Sequence, residues 1–289
     1  MWAVETSANC DFPINLTRTA TAVTGPRSLR LGDGSEVVLQ GILPPSKLDH
    51  RSVAENWNMP EKATRALAQA AVGRSIELSG SAKTRDRYGR RVAQVHVQAN
   101  TGRLWLQAYL VQTGQARVAV QEIKEACRSG ALLQVEERAR SSGLGLWKEA
   151  GYAIKSANKP WELMHARSTL QIIEGRVRSV ARVRSRIFVN FGRQWKKDFT
   201  IGIRGRLAKK LRVGGLTLQQ LRGKKIRLRG WLERRGGPFV HLHSPAQLSL
   251  APRQKLAGET RAQEPVITVP TIERKQKRPA LGKPDVLDL

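Results

Sequence analysis

Apolar positions along the chain fall mainly in short alternating runs, interrupted by two stretches of helical spacing. From Thr17 to Leu43 the pattern is that of strands. TATAV leads to a turn at Gly25–Pro26, and SLRLGDGSEVVLQGIL alternates about Asp33–Gly34, a pair suited to the positive φ of a tight hairpin. Pro44 and Pro45 end that run. NMPEKATRALAQAAV then repeats Ala63, Leu67 and Ala71 at intervals of four, which predicts one buried helical stripe, and Asn58 three before Glu61 has a capping pattern. RSIELSG and RYGRRVAQVHV return to strand alternation, and RLWLQAYLVQTGQARV holds a short helical turn in its middle. EACRSGALLQVEERARSSGLGLW predicts a second helix with Leu132, Leu133, Val135 and Ala139 on one face. Gly143 closes it before Leu144 and Trp147 fold back.

A second β-rich block follows residues 151–168, which have the look of a linker with a helical turn. Its strands are LQIIEGRVRSVARVRSRIFVNFG, KDFTIGIRG and KKIRLRGWLERRGGPFVHLHS, with RRGG as a hairpin turn and the helical patch GRLAKKLRVGGLTLQQLRG between them. The expected organisation is an N-terminal extension (1–16), a first domain (17–150), the linker (151–168), a second domain (169–250) and a tail (251–289). The tail lacks periodicity and is expected to be disordered. The fold class is mainly β with α (α+β). Five short strands with two or three helices in the first domain suggest a small barrel of the oligonucleotide-binding type.

Charge changes this picture most. Of a formal net charge of +28 at pH 7, residues 160–250 contribute 21 basic against 4 acidic side chains. Such an excess repels itself in a compact domain, and a polyanion is the usual reason for keeping it, nucleic acid above all. No run approaches the 18 apolar residues of a membrane span, so a soluble protein is expected. The N-terminal residues lack a basic start and an apolar run, which implies a cytoplasmic protein, or an exported one if the sequence begins within a longer chain. Two cysteines, Cys10 and Cys127, are too few for a closed zinc site; they form one disulfide or remain thiols.

Three segments, RDRYGRRVAQVHV, LQAYLVQTGQARV and EERARSSGLGLW, together with VVLQGILPP, resemble the thermonuclease (staphylococcal nuclease-like) family in order and spacing. The resemblance covers about residues 17–150. It implies a five-stranded barrel of the oligonucleotide-binding type and, in the family, calcium-dependent hydrolysis of DNA and RNA. That chemistry needs carboxylates for the calcium, a glutamate for the attacking water and two arginines for the phosphate. On this chain the metal aspartates fall on Arg27 and Leu43, the first arginine on Val38 and the glutamate on Ser46. The second arginine alone remains, as Arg90. The inherited catalytic site is therefore expected to be lost, with no metal or other cofactor.

Arg90 is then expected to hold phosphate, with Arg85, Arg87 and Arg91 enlarging the positive rim and Tyr88 packing into the core or the turn. The second block resembles the C-terminal, similarly barrel-shaped domain that accompanies some bacterial proteins of this family. Arg184, Arg186, Arg193, Lys196 and Lys197 interleave there with Phe188, Trp195, Phe199, Trp231 and Phe239, as expected of a groove that tracks a backbone while bases stack on rings. Alternation places Arg227, Arg229, Arg234 and Arg235 outward on one hairpin. His241 and His243 alternate on a strand with no acidic partner in view. The expected function is nucleic-acid binding, DNA or RNA, mostly through the backbone. Two alternatives stand beside it: a calcium-dependent endonuclease with a relocated site at Asp49 and Glu55, and a scaffold at an anionic membrane surface or envelope polymer. Asp33 and Glu61 are explained by the turn and the helix cap.

Overall fold

The computed structural model describes residues 14–49, 57–80, 84–99, 102–120 and 129–252. Cys10, Cys127, Glu55, the N-terminal extension up to residue 13 and the tail beyond residue 252 lie outside them. Alternation in the first half becomes β1 (Ile14–Gly25), β2 (Ser28–Leu31), β3 (Glu36–Leu39) and β4 (Ile42–Leu43), then helix α1 (Met59–Ala71). β5 (Ser75–Ser79), β6 (Arg91–Ala99), β7 (Gly102–Trp105), α2 (Leu106–Gln112), β8 (Arg117–Val118) and α3 (Ser129–Ser141) follow. β1, β2 and β3 form an antiparallel meander, β5 returns to pair with β1, and β6 runs parallel to β3, so the sheet closes on itself. Register shifts in β1, two against β2 and one against β5, let that long strand bend around the barrel.

The core is filled from the faces that the spacing identified. Ala63, Leu67 and Ala71 of α1 are buried, as are Leu132, Val135 and Ala139 of α3; Leu133 is only partly covered. Asn58 precedes α1 but its side chain makes no capping bond, and Glu61 instead lies 4.0 Å from Lys47. Gly143, at φ 59°, ends α3, and the Leu144 N–H donates to the Ala139 carbonyl. In GLGLW it is Leu146 that is fully buried, with Trp147 half-buried beside Met59 and Tyr152 and Leu144 exposed. Gly114 and Gly145 touch through their backbones: a Cβ on Gly114 would lie 2.1 Å from the Leu144 oxygen, and the Leu146 N–H donates to the Gly114 carbonyl. Two of the motifs that carry the resemblance thus owe their glycines to one close backbone approach.

The second half comprises β9 (Lys155–Ser156), α4 (Pro160–His165), β10 (Leu170–Arg176), β11 (Ser179–Val183), β12 (Arg186–Asn190) and β13 (Thr200–Arg204). α5 (Gly205–Lys210), β14 (Lys225–Trp231), β15 (Glu233–Arg235), β16 (Gly237–Leu242) and β17 (Leu248–Leu250) complete it. Its strands form two sheets, β17-β14-β10-β9 and β11-β12-β13-β16-β15, that share part of the wiring of the first half. β11, β12 and β13 form a meander, β14 returns antiparallel to β10, and β16 runs parallel to β13. A separate core surrounds Phe199, Ile201, Leu221 and Leu228. The stretch 151–168 is integrated rather than loose: β9 pairs with β10, Ala157 and Leu163 enter the second core, and Tyr152 is buried against the first domain.

Contact between the halves corrects the expectation for Arg227 and Arg229. β14 pairs with β10 on one side and β17 on the other. Ile226 and Leu228 fill the second core, and the opposite face meets the first domain. Arg229, 6% exposed, donates to the Val118 carbonyl at 2.8 Å and forms a two-pronged pair with the Glu136 carboxylate. Arg227 bridges Glu174 at 2.7 Å and Glu137 at 2.6 Å. Burial works to raise the carboxyls of both glutamates. Arg227, with Lys225 at Glu174 and Arg140 at Glu137, overcomes it and holds them below the ordinary carboxylate range. Arg117 completes the contact, donating to the Leu170 carbonyl at 2.7 Å and to Asp49 at 2.9 Å, with its guanidinium 4.6 Å from the Tyr152 ring centre.

Candidate nucleic-acid interface

The five positions assigned to the inherited site lie around one cleft of about 520 Å3: Arg27, Val38, Leu43, Ser46 and Arg90 all line it. Arg27 sits in the β1–β2 turn and donates to the Ile42 carbonyl at 3.1 Å. Lys47 adds a further cation, and Glu61 is the carboxylate among the lining residues. Calcium requires several oxygen ligands with compensating negative charge. A lining that sets Arg27, Lys47 and Arg90 against Glu61 does not fit that ion. Asp49, named with Glu55 for a relocated site, has its carboxylate engaged within the protein. It is buried and accepts from the Ser46 N–H at 3.0 Å, Arg117 at 2.9 Å and the Tyr152 hydroxyl at 2.9 Å. Burial first, and then the Asp49 charge, push the Tyr152 phenol well above its ordinary range. Asp33 is a turn residue, accepting from Ser35 and from Arg18.

The arginine-rich turn before β6 is organised by Asp86. Its carboxylate accepts from the Tyr88 and Arg90 N–H groups and from the Arg90 side chain at 2.7–2.8 Å. Slight burial opposes ionisation of Asp86, but the bonds from Arg90 prevail and hold its carboxyl below the ordinary range. Gly89, at φ 76°, allows the chain to reverse. Tyr88 belongs to neither core: it is 66% exposed, with the Arg87 and Arg90 guanidiniums 4.7 and 5.2 Å from its ring centre. Arg85 and Arg91 face each other across an isolated bridge, and with Tyr88, Arg90, Ser35 and Glu36 they line a second hollow of about 580 Å3.

In the second domain Arg184, Arg186, Arg193, Lys196, Lys197, Arg234 and Arg235 are exposed. Of the five aromatics, Phe199 is fully buried and Phe239 nearly so, Phe188 is intermediate, and Trp195 and Trp231 are exposed. The exposed residues do not form one cluster. Arg193, Trp195, Lys196 and Lys197 belong to the β12–β13 loop, where Lys196 lies 5.7 Å from the Trp195 ring centre. Arg186 and Arg235 instead share a groove of about 240 Å3 on β12, β13, β15 and β16 with Phe188, Phe239, His241 and His243. Two members of that groove had no sequence signal of their own. Arg204 joins because it is the cross-strand partner of Arg186, and Glu233 because the hairpin brings its Oε2 to 3.8 Å from His241 Nε2. Pairing of β13 with β16, whose partners such as Gly202 and His241 lie 39 residues apart, is what brings these side chains together.

Residues 36–149 match the family model described as staphylococcal nuclease homologue. A search of curated proteins returns no match. The matched segment begins at β3 and ends just after the GLGLW turn, so it contains the parallel closure of the barrel, the Asp86 turn and the Gly114–Gly145 contact. Residues 36–149 of the first domain are thus similar to the staphylococcal nuclease homologue family.

Proposed function

We propose that this chain binds nucleic acid, DNA or RNA, mainly through backbone phosphates, and that its thermonuclease-like domain no longer hydrolyses phosphodiesters with calcium. The observation that carries the binding half is the charge imbalance of residues 160–250, 21 basic against 4 acidic side chains. All four acids have partners within the protein. Glu162 pairs with Lys159, Glu174 with Lys225 and Arg227, Glu233 with Arg235, and Asp198 accepts from the Gln194 N–H. Arg227 and Arg229 are spent on the interdomain contact, which leaves the reading to the exposed Arg184, Arg186, Arg193, Lys196, Lys197, Arg234 and Arg235. The meander of β11, β12 and β13 with β16 parallel to β13 supports reading the second half as similar to an oligonucleotide-binding barrel, in which the face of strands 2 and 3 is the usual contact surface. Loss of catalysis rests on the cleft. A cation at Arg27 in place of a metal ligand repels a dication, and losing a phosphate clamp or a base costs about two to four orders of magnitude each.

Both halves have direct tests. Affinity of the full chain for a labelled oligonucleotide should fall linearly with salt on logarithmic axes, by roughly 0.7–0.9 of slope per phosphate engaged. Neutralising Arg193, Lys196 and Lys197 together should reduce that slope for all sequences alike. Binding to anionic vesicles with indifference to nucleic acid at low salt would replace this reading with a membrane-surface one. Calcium should produce no cleavage of DNA or RNA, and cleavage that survives repurification and disappears with EDTA would overturn the loss of catalysis.

A further inference from the structure

The groove on β12, β13 and β16 is built around an electrostatic conflict. Arg186 and Arg204 are direct cross-strand partners, where like charges destabilise a sheet, and Arg235 reaches the same groove from β15. Between them the floor is bare: a Cβ on Gly202 would lie 2.4 Å from the Phe239 ring, so only glycine fits under that ring. His241 lies beside Gly202 across the parallel pairing, edge-on to Phe239 at 4.8 Å and 6.0 Å from the His243 ring. Glu233 is the carboxylate among the groove's lining residues, 3.8 Å from His241 and 3.5 Å from Arg235. At about 240 Å3 the space suits one phosphate and its sugar, not a duplex.

Resting on the nucleic-acid reading above, we propose that this groove seats one backbone phosphate of a single nucleic-acid strand among Arg186, Arg204 and Arg235, and that His241 takes up a proton as the phosphate enters. Without the anion, burial and then the neighbouring Arg235 hold the His241 imidazole below its ordinary 6.5, with His243 and Arg186 adding to the effect and Glu233 opposing it. A phosphate beside the ring reverses the balance, since it neutralises those guanidiniums and favours the imidazolium. The other elements packed on β16 have their charges engaged elsewhere. In α4 Glu162 pairs with Lys159, the residue that precedes the helix, and His165 hydrogen-bonds the Trp161 carbonyl; in β14 Lys225, Arg227 and Arg229 are held by Glu174, Glu137 and Glu136. Binding that raises an imidazole pKa takes up a proton, so affinity must rise as pH falls, by up to about tenfold per pH unit for one proton.

The test uses the full chain and a Cy5-labelled oligo-dT, with affinity measured from pH 8 to pH 5.5 at constant ionic strength. Affinity should climb as pH falls through the range of the imidazole. His241→Gln should flatten that climb, and Arg204→Gln should weaken binding about tenfold across the range. His165→Gln, outside the groove, should leave the profile unchanged. A flat profile in the unaltered protein, or a climb that persists in His241→Gln, overturns the inference while salt-dependent binding keeps the nucleic-acid reading. Absence of salt-dependent binding at every pH would instead sink that reading itself.

Discussion

Arg229→Ala would leave the Glu136 carboxylate stranded in the contact between the two domains. Glu136 is 3% exposed, and apart from Arg229 its bonded partner is the Val118 N–H at 2.6 Å. The Val118 carbonyl would also lose its charged donor. Removing one member of a buried pair costs about 3–5 kcal/mol, most of it the penalty for an uncompensated charge. At roughly 2–4 °C per kcal/mol for a chain of this class, the melting temperature should fall by about 6–20 °C. Calorimetry of the full chain measures this, with Arg229→Met combined with Glu136→Leu as control, because replacing both charges by apolar groups should recover much of the loss. An exposed arginine changes stability by no more than about 0.5 kcal/mol. A melting temperature unchanged in Arg229→Ala would therefore refute the clamp and return Arg229 to the solvent-facing position that alternation assigned it.

Gly114→Ala forces a side chain into the Leu144 carbonyl at φ 66° and should destabilise the first domain by at least about 1–3 kcal/mol, read by chemical denaturation; an unchanged midpoint would refute the close approach. Glu137 and Glu174 have folded pKa values below their unfolded ones, so their contribution is present above about pH 4.5 and is lost as pH falls through the lowered values. Arg227→Met should shrink that acid-side loss of stability, and a pH–stability curve identical to that of the unaltered protein would count against the bridge.

Local physics was enough for much of this protein. Period-2 and period-3.6 spacing locates the strands and both long helices of the first domain, because burial of one face is imposed residue by residue along an element. Gly114 and Gly145 could be read as motif glycines because a positive φ leaves few other choices. The charge excess of the second domain is likewise a property of composition, and it points to an anion before any fold is known. Alternation, however, says only that Arg227 and Arg229 share a face opposite Ile226 and Leu228. Whether that face meets water or another domain depends on β14 lying against the first domain, with Glu136 and Glu137 waiting at the contact. The same limit hid the groove. Arg186, Arg204, Glu233 and His241 come from four strands, and only pairing of β12 with β13, β13 with β16 and β15 with β16 brings them around one groove. Sequence spacing determines which way a side chain points from its own strand; what it meets there is decided by long-range pairing, whose energy is shared among residues that carry no common local pattern.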